Sequence, residues 1–250
     1  MVLLPAESRA QTLVDVEIVI AADVSVSMDR EETRLQQEGF VHAFRHPDIL
    51  SAIQSGPVGR IAVAYIEWGG AGRHRVVVPW SLIEDAESAH RFARRLEKNR
   101  PARFNRGTSI SSALLRSYDL LLASGYSATR RVINISGDGV QNKGPDLALV
   151  RSELLSAGVT INGLPIVYKG LLDGVVAGPE RETDPRVLIE YFEQAVIGGP
   201  YAFVEPVTAI ESYTEAVRRK LIREIRTPMY AGLRNAGWTS SAEDEDRAAE

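Results

Sequence analysis

The chain contains no cysteine. Disulfides, thiolate nucleophiles and cysteine-based metal centres are thereby excluded, and redox usage gives no guide to the compartment. Long apolar runs are also missing, since no stretch approaches the ~20 residues that a spanning helix needs. Histidine is scarce and one-sided: His42, His46, His74 and His90 all lie in the first part of the chain. A serine hydrolase with a G-x-S-x-G elbow and a late histidine base therefore has neither part. No long basic stripe exists; 29 Lys+Arg against 33 Asp+Glu leave a net charge of −4. That balance argues against a nucleic-acid surface. The glycine-rich stretch 69–72 lacks the G-x-x-x-x-G-K-[ST] pattern of a phosphate loop and joins two apolar segments, as a hairpin turn does. His42 and His46 stand four apart, but no Glu follows His42 as an H-E-x-x-H zinc site requires, so the pair reads as solvent-facing.

What is present describes one α/β domain. A 44% hydrophobic content over 250 residues supports a substantial core, and neither an internal repeat nor a dividing linker is visible. Apolar strand patterns at 15–22, 61–66, 74–78, 131–135, 160–166 and 201–207 alternate with helical patterns at 31–44, 83–98, 109–123, 147–157, 184–194 and 210–225, with a further short turn at 49–53. The pattern predicts a Rossmann-like open sheet of about six mostly parallel strands, with helices on both faces. The link at 69–72 predicts a single antiparallel strand at one edge. Residues 167–183, with Gly170, Gly174, Gly178 and Pro179, read as a surface excursion. Residues 1–13 form an N-terminal segment whose Ser8 and Ala10 match a secretory cleavage pattern. An ordinary frayed N-terminus is the equal alternative. Residues 14–226 form the domain, and the small, polar, acidic stretch 227–250 reads as a disordered tail.

The first strand runs into Asp23-Val24-Ser25-Val26-Ser27-Met28. One carboxylate and two hydroxyls, spaced by single residues at a strand tip, collect hard oxygen donors that suit Mg²⁺, Mn²⁺ or Ca²⁺. Gly107-Thr108 opens the helix pattern at 109, and Asp138-Gly139 follows the strand at 131–135. In open parallel sheets ligands bind beyond the carboxyl ends of the strands, where Asp23 and Asp138 sit. Plainer roles are open to each residue. Ser27 or Asp29 fits a helix cap, as does Thr108, and Asp138-Gly139 fits a turn.

D-x-S-x-S, then G-T-x-x-x-x-A-L, then D-G after an apolar strand resembles the von Willebrand factor A domain with its metal-ion-dependent adhesion site, across residues 14–226. Val26 and Gly137 depart from the usual pattern without removing a ligand oxygen. The resemblance, nearest to exported bacterial members, implies direct ligation by Ser25, Ser27 and Thr108, with Asp23 and Asp138 holding waters and orienting the hydroxyls. Mg²⁺ is the implied cation, with Ca²⁺ and Mn²⁺ as alternatives, and its open position would accept a carboxylate from a protein or peptide. Phe104, Asn105 and Arg106 would shape that partner surface, in a periplasmic or secreted protein if an upstream signal exists. The competing reading is a hydrolase, either a phosphohydrolase using Asp23 or a serine enzyme using Ser25 or Ser27. The former expects Asp where Ser25 stands. In the resembled family the final helix slides when ligand engages. Here Ile210, Tyr213, Val217, Leu221 and Ile225 form an apolar stripe that could re-seat one turn along, or simply close the domain rigidly.

Overall fold

The computed structural model describes residues 11–104, 107–168 and 184–226. Five strands form the central sheet: β2 (Glu17–Asp23), β3 (Ile61–Trp68), β4 (His74–Ile83), β6 (Arg131–Gly137) and β7 (Val159–Pro165). Their order is β4-β3-β2-β6-β7, parallel throughout except for the β3–β4 hairpin. The expected antiparallel edge is therefore present. The strand total among the described residues is seven rather than six, because β1 (Thr12–Val14) and β5 (Tyr126–Ala128) form a separate parallel pair. The stretch 201–207, expected as the last strand, makes only isolated bridges along β7. Two of its neighbours explain this. Pro165 on β7 has no N–H to offer the Glu205 carbonyl, and the Phe203 N–H is taken by the Asn162 side chain at 3.1 Å.

Helices cover both faces. α1 (Arg30–Arg45), α2 (Pro47–Gln54), α3 (Ala86–Glu97) and the closing helix α7 (Tyr213–Arg226) pack on one side, and α4 (Ile110–Leu122), α5 (Leu147–Ser156) and α6 (Pro185–Tyr191) lie on the other. A π-helical turn, Phe192–Val196, continues α6. The strand period of two divides the residues of β2 cleanly. Ile18, Ile20 and Ala22 join Phe40, Phe44 and Leu221 in one core. Val19 and Ala21 join Leu114, Ile133 and Phe192 in the other. β2 is buried along its whole length, as a central parallel strand covered on both faces must be.

Caps set several boundaries the apolar pattern blurred. The helix expected from residue 83 starts at Ala86, because Ile83 still pairs with Ile61 and Asp85 and Ser88 form a capping box. His46 ends α1 and caps α2 ahead of Pro47, so His42 and His46 do not share a helix. The closing helix begins at Tyr213 rather than at 210.

One polar cluster fixes α7 on the sheet. Lys220 and Glu224 are completely buried one turn apart and pair with each other. The Glu224 carboxylate also accepts from Asn134 Nδ2 at 2.8 Å and from Asn162 Nδ2 at 3.1 Å. Arg130 donates to the Glu224 and Ile225 carbonyls at 2.7 and 2.8 Å. Glu224→Leu would leave a buried ammonium and two amides without their acceptor, and should cost about 3–5 kcal/mol in denaturant unfolding. A loss below 1 kcal/mol would show that the cluster is incidental to stability.

Candidate metal site at the end of the central strands

The site arises where two neighbouring strands part. β2 pairs with β3 as far as Asp23↔Trp68, but with β6 only as far as Ala21↔Ile135. β6 continues to Gly137 alongside β7. The last two residues of β2 therefore run beside a cleft, and the backbone groups along it need other partners. The Trp68 indole donates to the Ala21 carbonyl at 3.1 Å. From the opposite face Gln36 Nε2 donates to the Asp23 carbonyl at 2.9 Å, and Gln36 Oε1 accepts the Ser136 hydroxyl at 2.6 Å.

Four of the five expected oxygen donors are hydrogen-bonded in one chain across this cleft. Asp23 Oδ1 accepts the Ser25 N–H at 2.8 Å. Ser25 Oγ and Ser27 Oγ lie 2.9 Å apart, and Ser27 Oγ donates to Asp138 Oδ1 at 2.6 Å. Thr108 is buried on a neighbouring loop. Its N–H donates to Asn142 Oδ1 at 2.9 Å, and the next residue, Ser109, donates its N–H to the Gly69 carbonyl at 3.0 Å. These bonds bring the Thr108 loop to the same end of the sheet. Phe104 is anchored there too, by its N–H on the Val24 carbonyl at 3.0 Å. Its side chain packs on Gly69 so closely that an added Cβ there would lie 2.7 Å away. Asn105 and Arg106 lie outside the described residues.

The plainer roles have gone to other residues. Asp29 caps α1 with Glu32 in a capping box, and Ser109 caps α4. Neither Ser27 nor Thr108 is spent on a helix end. Gln36, Ser136 and Trp68 escaped the sequence reading. The signal for Gln36 was its place four residues before Phe40 and eight before Phe44 on the buried stripe of α1, where a polar side chain needs an explanation.

Asp23 is 0% exposed, and its Oδ2 has no hydrogen-bond partner. Burial, reinforced by the charge of Asp138 and opposed by the bonds from Ser25, pushes its carboxyl up to about 8. Gly137 leaves room beside that oxygen; a Cβ there would lie 3.2 Å from Asp23 Oδ2 and 3.5 Å from the Trp68 ring. Among the described residues no three His, Cys, Asp or Glu side chains cluster as metal donors. A cation here would therefore rest on hydroxyls with two carboxylates, a set suited to hard ions.

A family described as "Protein of unknown function (DUF1194)" matches residues 13–229. The chain belongs to this DUF1194 family. No curated protein matches it. Solved structures with a similar fold include a von Willebrand factor type A protein from Catenulispora acidiphila, at 16% identity and a TM-score of 0.53 over 85% of this chain and 43% of that one. The pilus adhesin SpaC of Lactobacillus rhamnosus GG matches at 14% and 0.56 over 86% and 31%. Proximal thread matrix protein 1 of the mussel byssus, with a zinc-occupied metal-ion-dependent adhesion site, matches at 14% and 0.53 over 85% and 46%. The chain thus spans less than half the length of these three proteins, and what it shares with them is the von Willebrand A fold. No helix among the described residues is long and apolar enough to cross a membrane.

The Asp23 environment has a pH signature. In the metal-stripped protein the folded chain holds the Asp23 proton up to about pH 8, whereas an unfolded Asp ionises near ~3.9. The folded state binds the extra proton between those values, so stability falls as pH rises through that window. The melting temperature of metal-stripped wild type should therefore drop between about pH 5 and pH 8 by more than that of Asp23→Asn. Burial also raises Glu17 and Glu67, but both remain in the variant and cancel. Parallel melting profiles for the two proteins would show that Asp23 is ionised throughout.

Proposed function

We propose that this domain is a metal-dependent binding module that takes a carboxylate from a protein or peptide partner and carries out no chemistry. The observation that carries the reading is Asp23 Oδ2, buried without a partner beside a chain of hydroxyls that ends on a second carboxylate. Burying a lone carboxylate is costly unless a positive charge or donor meets it. Mg²⁺, or Ca²⁺ or Mn²⁺ in its place, would supply that charge and an open coordination position for the partner. Ser25, Ser27 and Thr108 would ligate through their hydroxyls. Asp23 and Asp138 would orient those hydroxyls and hold waters. Thr108 joins the set on its burial and on its loop's ties to Asn142 and Gly69.

The surroundings favour binding over hydrolysis. Asp23 is too deeply buried to act as a nucleophile on a phosphoester. The Ser25 hydroxyl meets that of Ser27, which donates to Asp138, and among the described residues neither hydroxyl is bonded to a histidine. Purified protein should give no turnover in phosphatase and esterase screens. Two exposed valines frame the site: Val26, between the serines, at 47%, and Val140, two residues past Asp138, at 43%. Single exposed apolar residues are ordinary; these two gain meaning from their place. They favour a partner whose carboxylate lies next to an aliphatic side chain, with Phe104 beside the same site. We place the protein in the periplasm or outside the cell, on the cleavage-like pattern at Ser8 and Ala10.

Calorimetric titration of metal-stripped protein with Mg²⁺ and Mn²⁺ should show one site per chain. Ser27→Ala and Asp138→Ala should each weaken it by about tenfold or more, and Asp23→Ala should abolish it. Equal affinities in wild type and all three variants would refute the assignment. Capture of a partner should require Mg²⁺ and fail in EDTA.

A further inference from the structure

We infer that Gln36 is a positioning residue for the metal site, acting as a strut that sets the width of the cleft between β2 and β6; this rests on the reading of the site proposed above. The ladder between these strands stops at Ala21↔Ile135, and Asp23 and Asp138 both lie beyond that point. No backbone bond of that ladder fixes how far apart the two carboxylates stand. Gln36 spans the gap from α1. Its amide nitrogen holds the carbonyl of Asp23 at 2.9 Å, and its oxygen takes the hydroxyl of Ser136, two residues before Asp138, at 2.6 Å. The Ser136 hydroxyl also lies 3.4 Å from the Ala21 carbonyl, at the last rung of the ladder. The whole strut is out of water, with Gln36 at 0% and Ser136 at 1% exposure.

Geometry makes Gln36 more than a filler. Its amide has one donor end and one acceptor end, and each meets the complementary group on a different strand. An aliphatic side chain of the same volume would fill the space. It would leave the Asp23 carbonyl buried without its side-chain donor and the Ser136 hydroxyl with only the Ala21 carbonyl at 3.4 Å, and the strands could then settle at another separation. One turn earlier on α1, buried Glu32 accepts the Tyr168 hydroxyl at 2.8 Å and the Asp29 N–H at 2.8 Å. That second tie joins the loop after Ser27 to the chain just past β7. The two residues form a polar strip on α1 beneath the site, and Gln36 is the member that touches both site-bearing strands.

The test uses Mn²⁺ alone as the probe, with affinity by calorimetry and stability by thermal melting on the full chain. Gln36→Leu should weaken Mn²⁺ binding by about tenfold or more, as loss of a side chain that orients ligands does. Ser136→Ala should act in the same direction, and the double variant should lose no more than the larger single effect, because both remove one strut. This pair also serves if Gln36→Leu fails to fold. A control, Ile53→Val on α2, lowers stability elsewhere in the same core and should leave Mn²⁺ affinity unchanged. Wild-type affinity in both Gln36→Leu and Ser136→Ala would overturn the strut while leaving the site standing. Equal loss in the control would reduce Gln36 to a stability residue. Absence of Mn²⁺ binding by wild type would instead overturn the site, and the strut's role with it.

Discussion

Everything at the proposed binding end depends on the parting of β2 from β6 two residues before β2 ends. Parallel strands satisfy one another's backbone groups as long as they run together. Where they separate, each freed carbonyl must find a donor or stay exposed to water. Here water is kept out and side chains replace the missing rungs: the Trp68 indole on Ala21 from one face, the Gln36 amide on Asp23 from the other. The cleft is thus propped from both sides rather than left soft. Its lining comes from the residues that follow the last rungs, which is why Asp23 and Asp138 converge although 115 positions separate them in the chain.

Electrostatics then decides what the cleft can hold. A solvated acidic pair would simply be hydrated and screened. Asp23 is fully buried and close enough to Asp138 to feel its charge, so one of the two must give up its charge or acquire a counter-charge. The donors that reach Asp23, the N–H groups of Ser25 and Asp138 and the Ser25 hydroxyl, carry no charge to neutralise it. Glu67, another carboxylate buried at this end of the sheet, is met differently: Arg75 reaches it at 2.8 Å and the Ala102 N–H at 2.9 Å. Two deeply placed carboxylates in one sheet end thus have opposite fates. The one given a protein cation holds a loop in place; the one given none keeps an oxygen without a hydrogen-bond partner.

The contrast between what the sequence disclosed and what it hid follows the same logic. Apolar runs and their spacing revealed β2, β3, β6 and the helix pattern, because burial on both faces writes itself into composition. The tips of β2 and β6 were legible from their position, and so were Asp23, Ser25, Ser27 and Asp138. Choosing between cap and ligand was not possible from spacing alone. Ser27 and Asp29 were equally eligible to cap the first helix and Thr108 the one after it, and the hydrogen bonds give those ends to Asp29 and Ser109. The short parallel pair β1–β5 has too few residues for a period to register, and 201–207 kept a strand's composition while its ladder is broken by Pro165 and Asn162. Gln36 was hidden for a different reason. A polar residue on an apolar stripe signals a buried hydrogen bond, but its partners lie 13 and 100 residues away, at Asp23 and Ser136.

The closing helix bears on the choice between a stripe that re-seats and one that closes the domain rigidly. Tyr213, Val217, Leu221 and Ile225 form the even, buried ridge the sequence suggested, and a ridge of that kind tolerates two registers if nothing else distinguishes them. Lys220 and Glu224 distinguish them. In the observed register the Glu224 carboxylate faces two amide donors, Asn134 on β6 and Asn162 on β7. A shift of one turn toward the helix C-terminus would bring Lys220 to that place, setting an ammonium, which accepts no hydrogen bond, against two amide NH2 groups that would have to turn their oxygens toward it. Two packings of nearly equal energy are what a ratchet requires, and a buried ion pair that matches the sheet in only one register removes that near-equality. Ligand engagement at the cleft can move an equilibrium only by its differential affinity for two states, and α7 offers it a second state several hydrogen bonds poorer than the first. The observed register thus favours α7 as a rigid closing helix, and the proposed site would sit preformed on a fixed scaffold.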